Sequence, residues 1–200
     1  ARLVDALIEK GRTLRVGDGL DPTVEVGPLV NLKALTKVES YMSVAESEGA
    51  RAVLGGTRAA LPHGYFFQPT LLDQVSPEMR VAREEIFGPV LSVIEVESLD
   101  EAVEINNSVI YGLSTSIFTE NVHAAFRAIR DLATGIVYIN HGTTGAEIQF
   151  PFGGTRGTGN GMREAGVTAL DSFTEWKSVY VDYSGRLQRA QIDTDSVLGG

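Results

Sequence analysis

The sequence predicts an α/β protein in which a mostly parallel, Rossmann-like sheet is flanked by helices. Two observations support this prediction. Short apolar runs typical of strands alternate with helical patterns along most of the chain, and most of the helical patterns begin at residues that cap helices. Such alternation favours βαβ units, whose consecutive strands run parallel. Ligands of these sheets gather at the carboxyl ends of the strands, so a site is expected in the loops that follow them.

The helical patterns differ in how they start. Residues 1–14 open directly on an amphipathic stripe without a preceding N-cap residue, which indicates that this chain is a piece of a longer protein. The other patterns begin at an Asn or a Ser that can accept hydrogen bonds from the first turn. They predict helices from Asn31 to Glu48, from Ser98 to about Asn107 and from about Asn121 to Ala133, the first and last closed by Gly49 and Gly135. The apolar stripe of the helix after Asn31 consists of Leu35, Val38, Met42 and Ala45.

Five runs between the helices have the length and composition of strands. They are short and rich in β-branched, aromatic and other apolar residues. The runs are RAVLGG (51–56), YFFQPTLLDQV (65–75), VLSVIEV (90–96), STSIFT (114–119) and GIVYIN (135–140). The end of the chain, after about Gln191, has no such pattern and is predicted to be unstructured.

Composition excludes several classes of protein. The 200 residues carry a formal charge of −9 and no basic stripe, so nucleic acid is not an expected partner. No apolar run approaches the length of about 18 residues that a membrane span requires, and the N-terminus lacks the apolar region of a signal peptide. We therefore expect a soluble, cytoplasmic protein. The absence of cysteine excludes disulfides, thiolate metal sites and a cysteine nucleophile within this chain.

The loop after the last strand-like run, residues 141–166, is long and dense in glycine, which is typical of a functional or a disordered segment. Three interpretations are open. In the first, Gly157, Gly159 and Gly161 cradle a phosphate at the start of a helix near Arg163. In the second, the loop folds over a small-molecule pocket, and in the third it is a surface loop without a ligand.

The pocket interpretation gives specific residues a role. Phe152 supplies an apolar wall, and the backbone N–H groups near Gly145 and Ala146 form an anion site. The three histidines are too scattered to form a metal site, so none is predicted. Among them, His141 is a candidate for lining the pocket.

Several motifs, in this order and at these intervals, resemble the C-terminal part of the aldehyde dehydrogenase superfamily. They are VGPLV (26–30), GYFFQPTLL (64–72), EEIFGPV (84–90), YGLSTSIFTEN (111–121), GIVYIN (135–140), PFGG (151–154) and FTEWKSV (173–179). The segment TTGAEIQFPFGG (143–154) is most similar to the corresponding segment of superfamily members that act on carboxylate-bearing semialdehydes, such as the α-ketoglutaric and α-aminoadipic semialdehyde dehydrogenases. The resemblance implies the distal part of an aldehyde dehydrogenase catalytic domain over residues 1–172, an oligomerisation strand over 173–184 and a tail over 185–200.

The resemblance assigns the cofactor contacts to the EEIFGPV motif. It implies that Glu85 binds the nicotinamide-side ribose of NAD or NADP and that Phe87 packs against the cofactor. A carboxylate can accept hydrogen bonds from two vicinal hydroxyls, and an aromatic ring restrains a planar group beside it. Glu84 receives no role. Adjacent side chains point to different faces, so at most one of the two glutamates is expected to face the site; a pair of solvated acids is the alternative.

The same comparison assigns the substrate contacts to the glycine-rich loop. It implies that Phe152 lines the aldehyde pocket and that Thr144, Gly145 and Ala146 belong to a loop that anchors the distal end of the substrate. Gly145 and Ala146 present N–H groups to a carboxylate there. Asn140 is expected to order this loop rather than to touch the substrate. The alternatives are that Phe152 belongs to the core and that Thr144 caps a turn.

The chemistry that the resemblance implies is the NAD- or NADP-dependent oxidation of an aldehyde to an acid. In the family, a cysteine nucleophile forms a thiohemiacetal, hydride passes to the cofactor, and a glutamate base promotes hydrolysis of the thioester. The resemblance places that cysteine, the base and the dinucleotide-binding domain before residue 1. No catalytic residue is therefore predicted in this chain, which is expected to be inactive alone. A non-catalytic binding or assembly module that keeps the fold is the alternative.

The C-terminal segment is predicted to mediate assembly. Residues 176–183 alternate with apolar or aromatic side chains on both faces, more than a solvent-facing edge strand carries. The resemblance implies that this strand joins the sheet of a partner subunit, which gives a homodimer or a homotetramer. A final strand buried within its own domain is the alternative.

Overall fold

The computed structural model of the protein describes residues 2–186. Helices and strands alternate through most of this range, as the sequence predicts. The elements are α1 (Arg2–Thr13), α2 (Leu32–Glu48), β1 (Arg51–Leu54), β2 (Thr70–Asp73), α3 (Arg80–Arg83), β3 (Val90–Ser92), α4 (Leu99–Asn107), β4 (Ser114–Ile117), α5 (Val122–Asp131) and β5 (Ile136–Ile139), followed by 3₁₀ turns at Arg156–Thr158 and Val167–Ser172. The predicted tail lies outside the described residues apart from its first two.

The capping signals mark the starts of the three predicted helices correctly. The side chain of Asn31 accepts a hydrogen bond from the N–H of Ala34 at 2.9 Å, and Gly49 ends α2 in the left-handed conformation, at a φ of 98°. Ser98 and Asn121 cap α4 and α5 in the same way.

The end of α5 differs from the prediction. The helix stops at Asp131, and Gly135 does not close it. The backbone of Gly135 instead contacts the backbone of Gly153, and a Cβ atom at residue 135 would clash with the carbonyl oxygen of Gly153. The glycine is therefore required by a contact with the following loop rather than by the helix end.

Replacing Asn31 with alanine is expected to lower the free energy of unfolding by about 1 kcal/mol, because the N–H of Ala34 loses its acceptor. Urea denaturation of the 200-residue chain followed by circular dichroism measures this change. Asn31→Asp, which keeps an acceptor at the same place, is the control and should remain close to the unsubstituted protein. Equal stability of the alanine and aspartate variants would show that the cap contributes nothing.

The five strands form two small sheets among the described residues, so the single Rossmann-like sheet is not confirmed. One sheet has the order β1-β2-β3, and the other pairs β4 with β5. The β2–β3 and β4–β5 pairs are parallel, as predicted, and each is connected through a helix, α3 or α5. The β1–β2 pair is antiparallel, because the loop between these strands contains no crossover helix to return the chain to the starting edge.

The main core lies between α2 and the three-stranded sheet. Leu35 and Val38 of α2 pack there with Phe67 and Leu72 at an exposure of 2% or less. The predicted stripe faces the core: Leu35, Val38 and Ala45 are buried and Met42 is partly buried against them. Tyr41, which the pattern did not include, is buried as well. The ring of Tyr41 packs in the core, and its hydroxyl leaves the core toward Glu84.

The segment after the last 3₁₀ turn is exposed and forms no strand within residues 2–186. Trp176, Tyr180 and Tyr183 are each more than 90% exposed. A final strand buried within its own domain is therefore wrong for the described part of the chain. Pairing with a partner subunit stays a prediction. Its physical basis is that a strand of this kind needs a neighbouring strand to form its hydrogen bonds.

Candidate functional site

The glycine-rich loop closes over a cavity of about 380 Å³ beside β5. The cavity brings together three of the predicted substrate residues, Gly145, Ala146 and Phe152, whereas Thr144 lies outside its lining. Sequence reasoning missed Tyr138 and Phe150, which also line the cavity. The lining consists of Ile136, Val137, Tyr138, His141, Gly145, Ala146, Glu147, Phe150, Pro151 and Phe152.

The loop presents backbone donors at the cavity. Gly145 has a φ of 84°, in the left-handed region that favours glycine. No backbone carbonyl among the described residues accepts a hydrogen bond from the N–H of Gly145 or Ala146. Donors of this kind, next to a partly apolar cavity, can bind an anion.

Glu147 gives the same cavity a carboxylate. Glu147 is one of the lining residues, and its carboxylate accepts a hydrogen bond from the Nε2 of Gln149 at 3.4 Å. Since like charges repel and a carboxylate attracts cations, Glu147 opposes a negatively charged ligand and favours a positively charged one. The cavity therefore combines N–H donors, which attract an anion, with a carboxylate, which attracts a cation. Whichever of the two groups lies nearer to the charge of a ligand has the stronger effect on its binding.

His141 lines the cavity, as predicted. Its ring stacks on Tyr138 with the centroids 5.5 Å apart, and its Nδ1 lies 2.7 Å from the carbonyl oxygen of Gly142. A carbonyl only accepts, so this contact assigns a proton to Nδ1 and leaves Nε2 of the neutral ring as an acceptor. His141 is thereby held in one orientation at the cavity.

The predicted cofactor residues, Glu85 and Phe87, are both exposed on the turn that leads into β3. Phe87 is 73% exposed and has a φ of 59°, which is uncommon for a residue other than glycine. Ile86 between them is buried in the core. No cation lies within ion-pair distance of the Glu85 carboxylate among residues 2–186. The turn thus displays one carboxylate and one aromatic ring that the rest of the described chain does not use.

Glu84 is not a merely solvated acid, although it received no role. Its carboxylate accepts hydrogen bonds from the Nε and Nη2 of Arg80 at 2.8 and 3.0 Å and from the hydroxyl of Tyr41 at 2.6 Å. The guanidinium of Arg80, and then the hydroxyl of Tyr41, lower the pKa of Glu84 to about 2. Glu84 is therefore exposed, as a solvated acid would be, but its carboxylate is paired.

The phosphate-cradling interpretation of Gly157, Gly159 and Gly161 is wrong. No helix begins near Arg163, and the next regular element is a 3₁₀ turn of six residues. Two of the glycines instead allow close contact between backbones. The N–H of Gly157 donates to the carbonyl of Ile110 at 2.8 Å, and a Cβ at Gly159 would lie 2.7 Å from the carbonyl oxygen of Gly154.

Asn140 is predicted to order the glycine-rich loop, but its side chain instead joins the strand ends through Thr119, in the loop after β4. Its side chain accepts from the N–H of Thr119 at 2.8 Å and donates to the carbonyl of Thr119 at 2.9 Å. The exits of β4 and β5 are joined by this pair of bonds. Sequence reasoning missed Arg156, whose guanidinium donates to the carbonyls of Tyr111 and Ala133 and holds the glycine-rich loop against the chain. Its partners lie far away in sequence, so no local signal marks it.

Neither a metal-binding cluster nor a membrane-spanning helix is found within residues 2–186. In that range, no group of three or more His, Cys, Asp or Glu side chains is arranged to hold a metal ion. None of the helices in the described range combines the length and the apolar composition needed to cross a membrane.

Known proteins similar to this chain share its fold. The profile of the aldehyde dehydrogenase family matches residues 1–179. The chain is 39% identical, over 183 residues, to the α-ketoglutaric semialdehyde dehydrogenase of Bacillus subtilis, which covers 90% of this chain and 38% of that protein. It is 40% identical, over 185 residues, to a betaine aldehyde dehydrogenase of Brucella anthropi, with 90% and 37% covered.

Solved structures agree. The NAD+ complex of an aldehyde dehydrogenase from Bacillus cereus superposes with a TM-score of 0.86 at 37% identity, covering 91% of this chain and 36% of that one. A betaine aldehyde dehydrogenase from Staphylococcus aureus in complex with NAD+ gives a TM-score of 0.82 at 36% identity, with 86% and 34% covered. The chain thus spans little more than a third of the length of these relatives. It belongs to the aldehyde dehydrogenase family.

Proposed function

We propose that this chain is part of an NAD-dependent aldehyde dehydrogenase, to which it contributes contacts to the cofactor and one side of the aldehyde pocket. The observation that carries this proposal is the cavity beside β5, where the predicted substrate residues Gly145, Ala146 and Phe152 line one space. A concave, largely apolar site with a few polar groups suits a small ligand. The family membership supplies the reaction type.

Glu85 and Phe87 fit the cofactor that we propose. Both are exposed, and the Glu85 carboxylate is unpaired among the described residues, so its oxygens are available to accept from two ribose hydroxyls. The Phe87 ring is free to pack against the nicotinamide. NAD, when bound, accepts the hydride that the aldehyde loses. We propose NAD rather than NADP because the solved relatives described above carry NAD+.

We propose a carboxylate-bearing semialdehyde as the substrate. The N–H groups of Gly145 and Ala146 supply donors for a distal carboxylate, and Phe152 supplies a wall for the carbon chain. Two relatives are α-ketoglutarate semialdehyde dehydrogenases, from Bacillus subtilis and Haloferax volcanii. Glu147 favours a second candidate, an aldehyde with a cationic group, because its carboxylate and the aromatic lining attract positive charge. Other relatives are named for betaine aldehyde and aminoacetaldehyde.

The reaction requires groups that this chain does not supply. Its 200 residues include no cysteine, and we propose that the thiol nucleophile of the family is supplied by another part of a longer protein. In that protein, residues 1–172 form the distal part of the catalytic domain and residues 173–184 pair with a partner subunit. The cytoplasmic location stays a prediction from composition.

The purified 200-residue chain is expected to form no NADH from any aldehyde and NAD, because it has no thiol nucleophile. The longer protein that contains it is expected to form NADH continuously with a semialdehyde acid. Absorbance of NADH under identical conditions measures both. Steady turnover by the short chain would refute the proposed division of the site. A longer protein that folds and binds NAD but oxidises no aldehyde would favour the non-catalytic module.

A further inference from the structure

The turn that displays Glu85 and Phe87 is fastened to α2 by polar contacts. Lys37 and Tyr41, one helical turn apart on α2, both reach this turn. The Nζ of Lys37 donates to the backbone carbonyl of Glu85 at 2.6 Å, and the hydroxyl of Tyr41 donates to the carboxylate of Glu84 at 2.6 Å. Arg80 of α3 holds the same carboxylate through two hydrogen bonds.

Apolar contacts fasten the alternate positions of the turn. Ile86 is buried with Val38 in the core, and a Cβ atom at Gly88 would lie 2.5 Å from the Cγ2 of Val38. Glu84 is exposed but held by hydrogen bonds, and Ile86 and Gly88 are held by packing, so the exposed side chains of Glu85 and Phe87 lie between fixed positions. The positive φ of Phe87 is part of this geometry, since a strained residue persists only where the structure around it enforces the conformation.

We propose that Glu84, clamped by Arg80 and Tyr41, is a positioning residue that fixes the orientation of Glu85 and Phe87 for the cofactor. This inference rests on the proposed function, in which those two residues bind the nicotinamide side of NAD. Glu84 acts through the backbone and does not touch the cofactor. A carboxylate held at both oxygens by charge-assisted hydrogen bonds has little freedom to rotate, so the next residue inherits a defined starting direction.

The ionisation states of the clamp support this role. Arg80 and Tyr41 lower the pKa of Glu84 to about 2, so its carboxylate is charged throughout the neutral range. The contact with Glu84 also raises the pKa of Tyr41, which therefore remains a hydrogen-bond donor. Above pH 4.5, the ordinary pKa of Glu84, neither group titrates before strongly alkaline pH. The clamp is thus a constant element of the fold across the pH range in which dehydrogenases are assayed.

A matched ion pair between α2 and the loop after β1 provides a control that separates positioning from stability. Arg58 holds the carboxylate of Glu39 through its Nε and Nη2, as Arg80 holds that of Glu84. Glu39 lies on α2, as Lys37 and Tyr41 do, but its partner Arg58 belongs to the loop after β1 and not to the turn that displays Glu85 and Phe87. Glu39→Gln therefore removes the same kind of pair without disturbing Glu85.

In the full-length protein, Glu84→Gln is expected to raise the dissociation constant and the KM for NAD about three- to tenfold, because misplacement by a fraction of an ångström weakens oriented contacts. The KM for the aldehyde should stay unchanged. Tyr41→Phe should act in the same direction and less strongly, since Arg80 still holds the carboxylate. Glu39→Gln should leave every NAD parameter at the value of the unsubstituted enzyme. Isothermal titration calorimetry with NAD and steady-state kinetics measure these changes, and thermal unfolding measures stability.

The outcomes are distinct. If Glu84→Gln lowers the unfolding temperature but leaves NAD binding unchanged, as is expected of Glu39→Gln, the Arg80–Glu84 ion pair is only structural and the inference is refuted. If Glu84→Gln does not fold, Tyr41→Phe decides, and unchanged NAD affinity in that variant is again a refutation. If Glu85→Gln also leaves NAD binding unchanged, the proposed cofactor role of Glu85 fails, and positioning fails with it. If Glu85→Gln weakens NAD binding and Glu84→Gln leaves it unchanged, the positioning role of Glu84 is refuted and the cofactor role of Glu85 stands.

Discussion

A semialdehyde that carries a carboxylate is expected to be oxidised with a kcat/KM about ten- to hundredfold higher than that of its uncharged analogue of equal length. The physical reason is the pair of N–H groups at Gly145 and Ala146, since a hydrogen bond to a charged group contributes about 1.5–3 kcal/mol. Steady-state kinetics of the full-length protein with both aldehydes measures the ratio. An aldehyde with a distal cationic group completes the comparison, because Glu147 favours that charge.

Gly145→Val is expected to remove most of the preference for the acid. The space around a Cβ at this position is open, so the effect arises from the backbone: valine is strained at a φ of 84°, and the loop must turn its N–H groups away. Gly161→Val is the matched control, because Gly161 also has a positive φ and open space but does not line the cavity. Glu147→Gln should increase the preference for the acid by removing a repulsive charge.

Two results would contradict the anchor loop. Equal kcat/KM for the acid and the uncharged aldehyde would show that the N–H groups bind no substrate carboxylate. A higher kcat/KM for the cationic aldehyde, lost in Glu147→Gln, would establish the second candidate substrate in place of the first. The family membership is unaffected by either result.

Glu85→Gln is expected to lower kcat/KM for NAD about tenfold, which corresponds to about 1.4 kcal/mol of transition-state stabilisation. A carboxylate accepts from two hydroxyls, whereas an amide offers one acceptor and places a donor against the second hydroxyl. Calorimetric titration with NAD and steady-state kinetics of the full-length protein measure the change. The exposed Glu104, on α4, provides the control substitution Glu104→Gln, which should leave both quantities unchanged. Normal NAD affinity and turnover in Glu85→Gln would remove Glu85 from the cofactor site.

The helix starts could be predicted because capping is local. Asn31 caps α2 by a hydrogen bond to a residue three positions away, and Ser98 and Asn121 reach equally short distances along the chain. The strand-like runs are also correctly placed, since their composition reflects burial. The parallel pairs followed from the alternation of helices and strands, but the antiparallel β1–β2 pair and the division into two sheets were beyond a local pattern, because strand pairing depends on the connections that return each strand to its neighbour.

The candidate site shows the same division. Gly145, Ala146 and Phe152 could be chosen from the sequence, because the motif around them marks an unusual glycine-rich loop. The carboxylate of Glu147 at the cavity, close to Gly145 in sequence, had no signal of its own: its position depends on how the loop folds back over β5. Glycine spacing also misled, since Gly157 and Gly159 allow backbone packing rather than phosphate binding.

The sequence by itself determined the family, the helix starts and the residues of the EEIFGPV motif, because these depend on residue type and on spacing within a few positions. Only the tertiary structure decided the roles of the two adjacent glutamates. Glu84 meets Tyr41 across 43 positions of the chain, whereas the carboxylate of Glu85 has no ion-pair partner among the described residues. The Arg80–Glu84 pair joins residues four positions apart and is present in the local sequence, whereas the hydrogen bond from Tyr41 forms only after α2 has packed on the sheet, so the complete clamp on Glu84 is decided by the tertiary structure.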